Sequence, residues 1–212
     1  MRPIQFSAGG LPALDDDSIA LSQTPLAAGN LTLAGALMVA GVFTPTAPGY
    51  LIITTAADES AKTLLVTGKS PEGWAQTETI AGPNATTGIS TKSWGVGAMT
   101  IYASAAFTGA VKVGTTQSGY GPWRPLDIYV PNCQTAISTD VTGTVDYTWQ
   151  YTNDDPFDPT IPHIAVSHPV AALVGATTDQ TGQSTAVMRA VRQLINSGGG
   201  TTRNTITQQS TQ

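Results

Sequence analysis

Alternating apolar and polar residues predict β-strands along most of the chain. The clearest segment is 144–151, where Val145, Tyr147, Trp149 and Tyr151 fall on one face of an extended strand. Shorter runs of apolar and β-branched residues predict further strands at 31–34, 50–55, 62–67, 74–80, 98–104, 110–114, 126–130, 135–140, 163–167, 188–196 and 202–208. The pattern therefore predicts an all-β protein.

One segment, 186–196, fits two periodicities. Its apolar side chains at 187, 188, 191, 194 and 195 also suit a helix. A strand is the preferred interpretation because a triglycine turn and a threonine-rich strand follow, and the helix stays open as the alternative.

A strand–turn–strand pattern occurs near the end of each half of the chain. In the first half, 99–102 and 111–114 flank a turn of small residues around Gly109. In the second half, 191–195 and 202–207 flank the three glycines at 198–200. Glycine reaches positive φ without steric cost, so each pattern predicts a β-hairpin. Two such hairpins predict two related sandwich-like modules in tandem.

Composition shifts divide the chain into three parts. Residues 117–125 are rich in glycine, proline and aromatic residues, which places a boundary between a module at 31–118 and a second module at 119–212. Residues 1–30 carry several prolines and glycines and predict an extended N-terminal arm. Its large apolar residues are too few for a core and are predicted to bind an adjacent subunit, with the protein's own sandwich as the alternative: Ile4, Phe6, Leu11, Leu14, Ile19 and Leu21.

Charge is scarce in this sequence of 212 residues: 11% of residues are charged and the formal net charge is −5. The nine lysines and arginines form no cluster, which argues against direct nucleic-acid binding and against anchoring to anionic lipid. The apolar stretch 31–43 is too short to span a bilayer, and no secretion signal is expected. A charge-poor surface is typical of a protein that buries much of itself against neighbours.

The candidate chemical motifs all favour structural interpretations. The 67–70 segment resembles the end of a P-loop, but position 63 is threonine, so 68–73 is predicted to be a hairpin turn. His163 and His168 would point to opposite faces of a strand, and Cys133 is the only cysteine. We therefore predict no catalytic residues, no cofactor and no metal centre, and the chain is not expected to be an enzyme.

Two acidic runs and four tryptophans leave alternatives open. The runs 15–17 and 153–159 are predicted to be solvated surface segments; the second matches no EF-hand spacing, and cation binding there remains an open alternative. The tryptophans at 74, 94, 123 and 149 are predicted to lie in the core or in a subunit interface, with a carbohydrate surface as the alternative.

The strand pattern resembles that of small virion structural proteins of tailed bacteriophages. The segments that carry the resemblance are 64–68, 78–84, 90–92, 111–114, 144–151, 153–155 and 192–208. The resemblance covers most of 60–212, and the arm at 1–30 lies outside it.

This resemblance implies assembly without catalysis. The first expectation is a capsid decoration (cement) subunit that stabilises the head by bridging neighbouring subunits. The alternative is a collar, head-to-tail connector or tail-fibre-anchor component, and the third is a carbohydrate-binding or adhesin-type module. Expected partners are the major capsid protein or other virion subunits, with homo-oligomers in a particle assembled in the bacterial host cytoplasm. Deleting residues 1–22 is expected to leave a folded β-protein that no longer enters particles.

Overall fold

A computed structural model describes residues 3–129, 133–161 and 163–210 and confirms the all-β class. Within those ranges the only helix is a single 3-10 turn, Ala171–Leu173, and no helix is long and apolar enough to cross a membrane. The chain forms two compact units. The continuous unit is Leu11–Gly119, and the discontinuous unit comprises the residues up to Gly10 and from Tyr120 onward.

The continuous unit contains two four-stranded antiparallel sheets. The strands of the first, in spatial order, are β2 (Asp15–Gln23), β12 (Val111–Thr115), β6 (Gly49–Thr55) and β9 (Thr87–Trp94). Those of the second are β3 (Gly29–Asn30), β11 (Thr100–Ala103), β7 (Thr63–Lys69) and β8 (Ala75–Ala81). A small third sheet contains β10 (Gly97–Ala98), β5 (Val42–Phe43) and β4 (Met38–Val39).

The core of this unit lies between its two large sheets. Strand β7 alternates buried and outward residues, so Leu64 and Val66 enter the core. Ile53 and Val113 meet them from the opposite sheet, and Trp94 is fully buried in the same cluster. Each large side chain buried in this way stabilises the fold by about 1.5–3 kcal/mol.

The discontinuous unit also contains two sheets. The strands of one, in spatial order, are β1 (Ile4–Gly9), β20 (Thr201–Ser210), β15 (Cys133–Thr142) and β18 (Gln180–Ser184). Those of the other are β13 (Gly119–Tyr120), β19 (Ala190–Ser197), β16 (Asp146–Thr152) and β17 (Val166–Ser167), with β14 (Arg124–Pro125) also paired to β19.

Polar side chains contribute to the core of the discontinuous unit. Trp149 is fully buried, and its indole Nε1 donates a hydrogen bond of 3.0 Å to Thr139 Oγ1 on the other sheet. Gln193 Oε1 accepts hydrogen bonds from Asn204 Nδ2 (3.0 Å) and Thr202 Oγ1 (2.6 Å), again across the two sheets. These polar groups are satisfied, so burying them is compatible with a stable core.

The two units share one strand order. If the eight main strands of each unit are lettered A to H along the chain, one sheet reads A-H-C-F and the other B-G-D-E. In the continuous unit these are β2, β3, β6, β7, β8, β9, β11 and β12, and in the discontinuous unit β1, β13, β15, β16, β17, β18, β19 and β20. This is the order of a jelly roll, an eight-stranded sandwich of two Greek keys.

The predicted tandem arrangement and N-terminal arm are not confirmed. Strand β1 pairs with β20, with Ile4 opposite Ile206, and so completes the discontinuous unit. Strand β2 pairs with β12 in the continuous unit. Residues 1–30 are therefore divided between the two units, and 119–212 lacks the first strand of its own sandwich.

Both predicted glycine-turn hairpins are wrong. Strand β11 pairs with β3 and β7, whereas β12 pairs with β2 and β6 on the other sheet. Likewise β19 pairs with β14 and β16, whereas β20 pairs with β1 and β15. Each connection is therefore a β-arch, which crosses from one sheet to the other. The two strands that it joins face each other through their side chains and share no backbone ladder.

A buried carboxylate anchors the first arch. Glu59 is fully buried, and its Oε1 accepts the backbone N–H groups of Thr108 and Gly109 at 2.7 Å each. Lys62 Nζ lies 2.5 Å from Glu59 Oε2. Burial raises the pKa of Glu59, but the hydrogen bonds from Lys62, Gly109 and Thr108 outweigh it and hold the pKa below its ordinary value.

Four other predicted segments can be compared with the structure, and two of them are confirmed. The turn at 68–73 does join a hairpin, β7 to β8, and 186–196 contains a strand rather than the alternative helix. Residues 31–34 are not a strand, since β3 ends at Asn30. The described part of the predicted strand 126–130 is also not a strand, and Val130 lies outside the described residues.

Candidate functional site

The six apolar residues predicted to bind a partner are mostly used within the chain's own sheets. Ile4 and Phe6 lie on β1, and the Phe6 ring contacts Trp149 edge-on at 5.8 Å. Ile19 is fully buried in the continuous unit, and Leu11 is 4% exposed. The two residues that remain exposed are Leu14 (60%) and Leu21 (49%). Strands β1 and β2 thus belong to the protein's own sheets. Partner binding by the six residues remains a prediction, with Leu14 and Leu21 as the exposed members.

An apolar groove in the discontinuous unit is a candidate binding site. It has a volume of about 200 Å³ and is lined by Pro125, Leu126, Asp127, Ile128, Tyr129, Pro156, Phe157 and Arg189. Its most prominent side chains are Tyr129, Phe157 and Ile128, which are 88%, 70% and 53% exposed. Contiguous exposed apolar side chains of this size mark interaction sites on soluble proteins.

One wall of the groove is positioned by a strand distant in sequence. Gln208 Oε1 on β20 accepts the N–H of Asp127 at 2.8 Å, and its Nε2 donates to the Asp127 carbonyl at 3.2 Å. Asp127 Oδ1 then accepts the N–H of Tyr129 at 2.9 Å. These bonds fix the backbone of 127–129 and leave the side chains of Ile128 and Tyr129 pointing into solvent.

The other wall is the acidic loop 153–159. Arg189 donates to Asp155 Oδ2 at 2.8 Å, while Asp155 Oδ1 accepts the N–H of Phe157 at 3.0 Å. Asp154 Oδ2 accepts the N–H of Ile164 at 2.6 Å. The carboxylates thus accept hydrogen bonds from backbone N–H groups in and beside the loop. Phe157 lies in the turn after Asp155, and its side chain is exposed.

The segments that form the two walls carry an excess of negative charge. Residues 125–129 and 153–159 contain Asp127, Asp154, Asp155 and Asp158, and with Arg189 their formal net charge is −3. Of these charged residues, Asp127 and Arg189 line the groove itself. Hydrogen bonds from the Ile164 N–H and Thr152 lower the pKa of Asp154, and those from Thr160 lower the pKa of Asp158. Both carboxyls are therefore ionised at neutral pH.

The unit's other described arginines are engaged away from the groove. Arg192 lies between two rings, 3.7 Å from the centroid of Tyr120 and 4.4 Å from that of Trp123. Arg124 lies 4.7 Å from the Phe6 centroid. Arg203 Nη2 pairs with Asp140 Oδ2 at 2.5 Å on an exposed surface. All four lysines belong to the continuous unit.

The remaining candidate residues do not come together. Trp94, Trp123 and Trp149 are buried, as predicted for core residues, so they form no exposed carbohydrate platform. Cys133 is half-buried beside Gln208. Within the described ranges, the acidic residues 15–17 form the only cluster of three potential metal ligands within 4.8 Å, and such clusters are common on surfaces without an ion.

The two histidines have different surroundings. His163 Nε2 lies 2.6 Å from the Asp155 carbonyl oxygen, beside the acidic loop. His168 is 3% exposed, and its Nδ1 accepts the N–H of Val170 at 3.2 Å. The proton of neutral His168 therefore sits on Nε2, which has no hydrogen-bond partner among the described residues. Burial lowers the pKa of His168 below its ordinary value of 6.5.

We predict that His168 makes the discontinuous unit less stable in mild acid. The unfolded chain binds a proton at His168 near pH 6.5 whereas the folded unit resists it, so stability is complete above this pH. As the pH falls below 6.5 towards the lowered pKa of the folded state, the free energy of unfolding should decrease by up to about 1.4 kcal/mol per pH unit. Urea unfolding at a series of pH values measures this slope.

His168→Asn keeps an acceptor for the Val170 N–H and should remove this component of the slope. His163→Asn is the matched control, because it leaves His168 in place. A slope that is unchanged in His168→Asn would contradict the assignment.

The groove residues could not be identified from the sequence as a site. The only local signal is Phe157, a large apolar residue in a run of aspartate and proline where no regular strand can bury it. Comparison with known proteins gives no family: no protein-family model and no curated protein matches the sequence.

Proposed function

We propose that the chain is a non-enzymatic structural subunit of a tailed-phage virion, with capsid decoration as its role. The observation that carries the proposal is the shared strand order of the two units, each an eight-stranded jelly roll. Jelly rolls are widely used as viral capsid domains, and also as lectin and cupin domains. A fold used for several functions does not determine one, so the proposal also draws on the resemblance of the strand pattern to small virion proteins.

The surface composition supports assembly over carbohydrate binding. Three of the four tryptophans are buried, so the tryptophans do not form the exposed platform on which a sugar-binding module would stack its ligand. Charged residues make up only 11% of the sequence, which fits a chain whose surface is covered by neighbours. A charge-poor surface of this kind suits a decoration subunit that binds its shell.

Labelled virions test the proposal. Gold-labelled antibody raised against the purified chain should bind the heads of phage particles produced by the host that encodes it. Label confined to the neck or tail would replace decoration with the collar, connector or fibre-anchor role. Particles that contain none of the chain by mass spectrometry would refute a virion function altogether.

A further inference from the structure

We propose that the groove between residues 125–129 and the acidic loop is a docking site for a basic partner segment. The segment would insert one large apolar side chain, flanked by lysine or arginine, between Tyr129 and Phe157. The proposal does not depend on the virion role, since it rests on the groove alone.

The apolar part of the argument is the exposure of three large side chains around one concavity. Tyr129 and Phe157 are 88% and 70% exposed, and Ile128 is 53% exposed. All three line the same space of about 200 Å³, together with Pro125 and Pro156. Aromatic side chains in such positions are the residues that contribute most to binding when a partner covers them.

The second part of the argument is that both walls are fixed before any partner arrives. The Gln208 side chain forms hydrogen bonds with both the N–H and the carbonyl of Asp127. The Arg189–Asp155 ion pair holds the loop that carries Phe157. The Arg189 backbone also links the walls, because Leu126 N–H donates to its carbonyl and its own N–H donates to Thr152. A preformed groove loses little conformational entropy on binding.

Charge decides which occupant fits. The segments 125–129 and 153–159, together with Arg189, carry a formal net charge of −3 around the groove, and the other described arginines of the unit are engaged elsewhere. A second copy of the chain would bring the same aspartates against these, and like charges face to face are costly at an interface. In a segment with lysine or arginine beside a large apolar residue, the basic side chains complement the aspartates and the apolar side chain complements Tyr129 and Phe157.

Peptide selection tests this directly. A displayed library of short random peptides is selected against the full chain, with Tyr129→Ser/Phe157→Ser as the counter-selected variant and Val187→Ser as the control. Val187 is 82% exposed in the same unit and does not line the groove. Enriched peptides should combine a large apolar residue with neighbouring lysine or arginine.

Affinities of these peptides should distinguish the variants. The groove variant should bind at least about tenfold more weakly than the wild type, and Val187→Ser should be unchanged. Asp127→Asn/Asp158→Asn keeps the side-chain oxygens that accept the local hydrogen bonds and removes two charges, so it should weaken binding several-fold and flatten its dependence on salt.

Three outcomes would overturn the proposal. In the first, selection yields no peptide that separates the wild type from the groove variant; in the second, the enriched peptides lack basic residues. Alternatively, sedimentation could show a dimer of the wild type that Tyr129→Ser/Phe157→Ser abolishes, which would make a second copy the occupant. Circular dichroism and thermal unfolding of each variant confirm that it is folded before binding is measured.

Discussion

Removing residues 1–9 should strongly destabilise the discontinuous unit and leave the continuous unit folded. Strand β1 forms a six-residue antiparallel ladder with β20, and Phe6 covers the buried Trp149. The deletion exposes the side of Trp149 that Phe6 covers, and it leaves the backbone N–H and C=O groups of β20 that face β1 without partners. Since a unit of about 100 residues has only about 5–15 kcal/mol of stability, we expect a loss of more than about 3 kcal/mol.

Hydrogen exchange measures this effect separately in the two units. Amides of β15 and β20 should lose protection in the truncated chain, and those of β6 and β12 should keep it. A synthetic peptide of residues 1–10 added in trans should restore protection by adding the missing strand. Gln5→Ala/Ser7→Ala, which changes outward side chains of β1 and retains the strand, is the control. Equal protection of β20 with and without β1 would contradict the prediction.

This expectation replaces the one drawn from the sequence for a longer truncation. An extended arm at 1–22 could be deleted and leave a folded β-protein. That deletion would remove all of β1 and nearly all of β2, which are the equivalent strands of the two units. Loss of particle incorporation by such a truncation would therefore report unfolding rather than loss of an attachment device.

Local pattern was enough to locate many strands but not to pair them. Strands β6, β7, β16 and β19 lie within two or three residues of the predicted positions, because alternation and β-branched residues are local signals. The turn at 198–200 permits either a hairpin or an arch. The choice is made by contacts across the sandwich, such as Gln193 with Asn204, which no local signal encodes.

Two of the longer strands that the sequence failed to predict are polar. Strand β18 consists of Gln, Thr, Gly and Ser, and β9 is similarly rich in Thr and Ser. Both are edge strands, where fewer side chains are buried and apolar alternation is weak. Edge β9 is also paired by side chains: Glu78 on β8 accepts the backbone N–H groups of Thr91 and Lys92 at 2.7 and 3.2 Å.

The candidate groove was not predictable for a related reason. Residues 126–130 look like a strand because Leu126, Ile128 and Val130 alternate with other residues. The described part does not pair with another strand, because the side chain of Gln208, 81 residues away, forms hydrogen bonds with the N–H and the carbonyl of Asp127. Gln208 lies in a polar strand, and nothing in the local sequence pattern distinguishes it as the residue that bonds the Asp127 backbone.

The shared strand order also has a consequence for folding. In the continuous unit the first strand, β2, pairs with the last, β12. In the discontinuous unit the first strand, β1, pairs with the last, β20, and nearly the whole chain lies between them. Bringing together such distant segments costs more loop entropy and slows folding. The continuous unit is therefore expected to fold first, with the ladder between β1 and β20 closing afterwards.

Gly114→Ala should destabilise the continuous unit by more than about 3 kcal/mol, because no space exists for a methyl group at this point of β12. A Cβ there would lie 1.8 Å from the carbonyl oxygen of Asp15, a backbone atom of the neighbouring strand that cannot turn aside. The matched control is Gly29→Ala, where no atom lies within 4 Å, and it should change stability by less than about 1 kcal/mol. Urea unfolding followed by tryptophan fluorescence, to which Trp74 and Trp94 of this unit contribute, measures the midpoint of each variant. Equal midpoints for the two variants would mean that β2 does not approach β12 this closely.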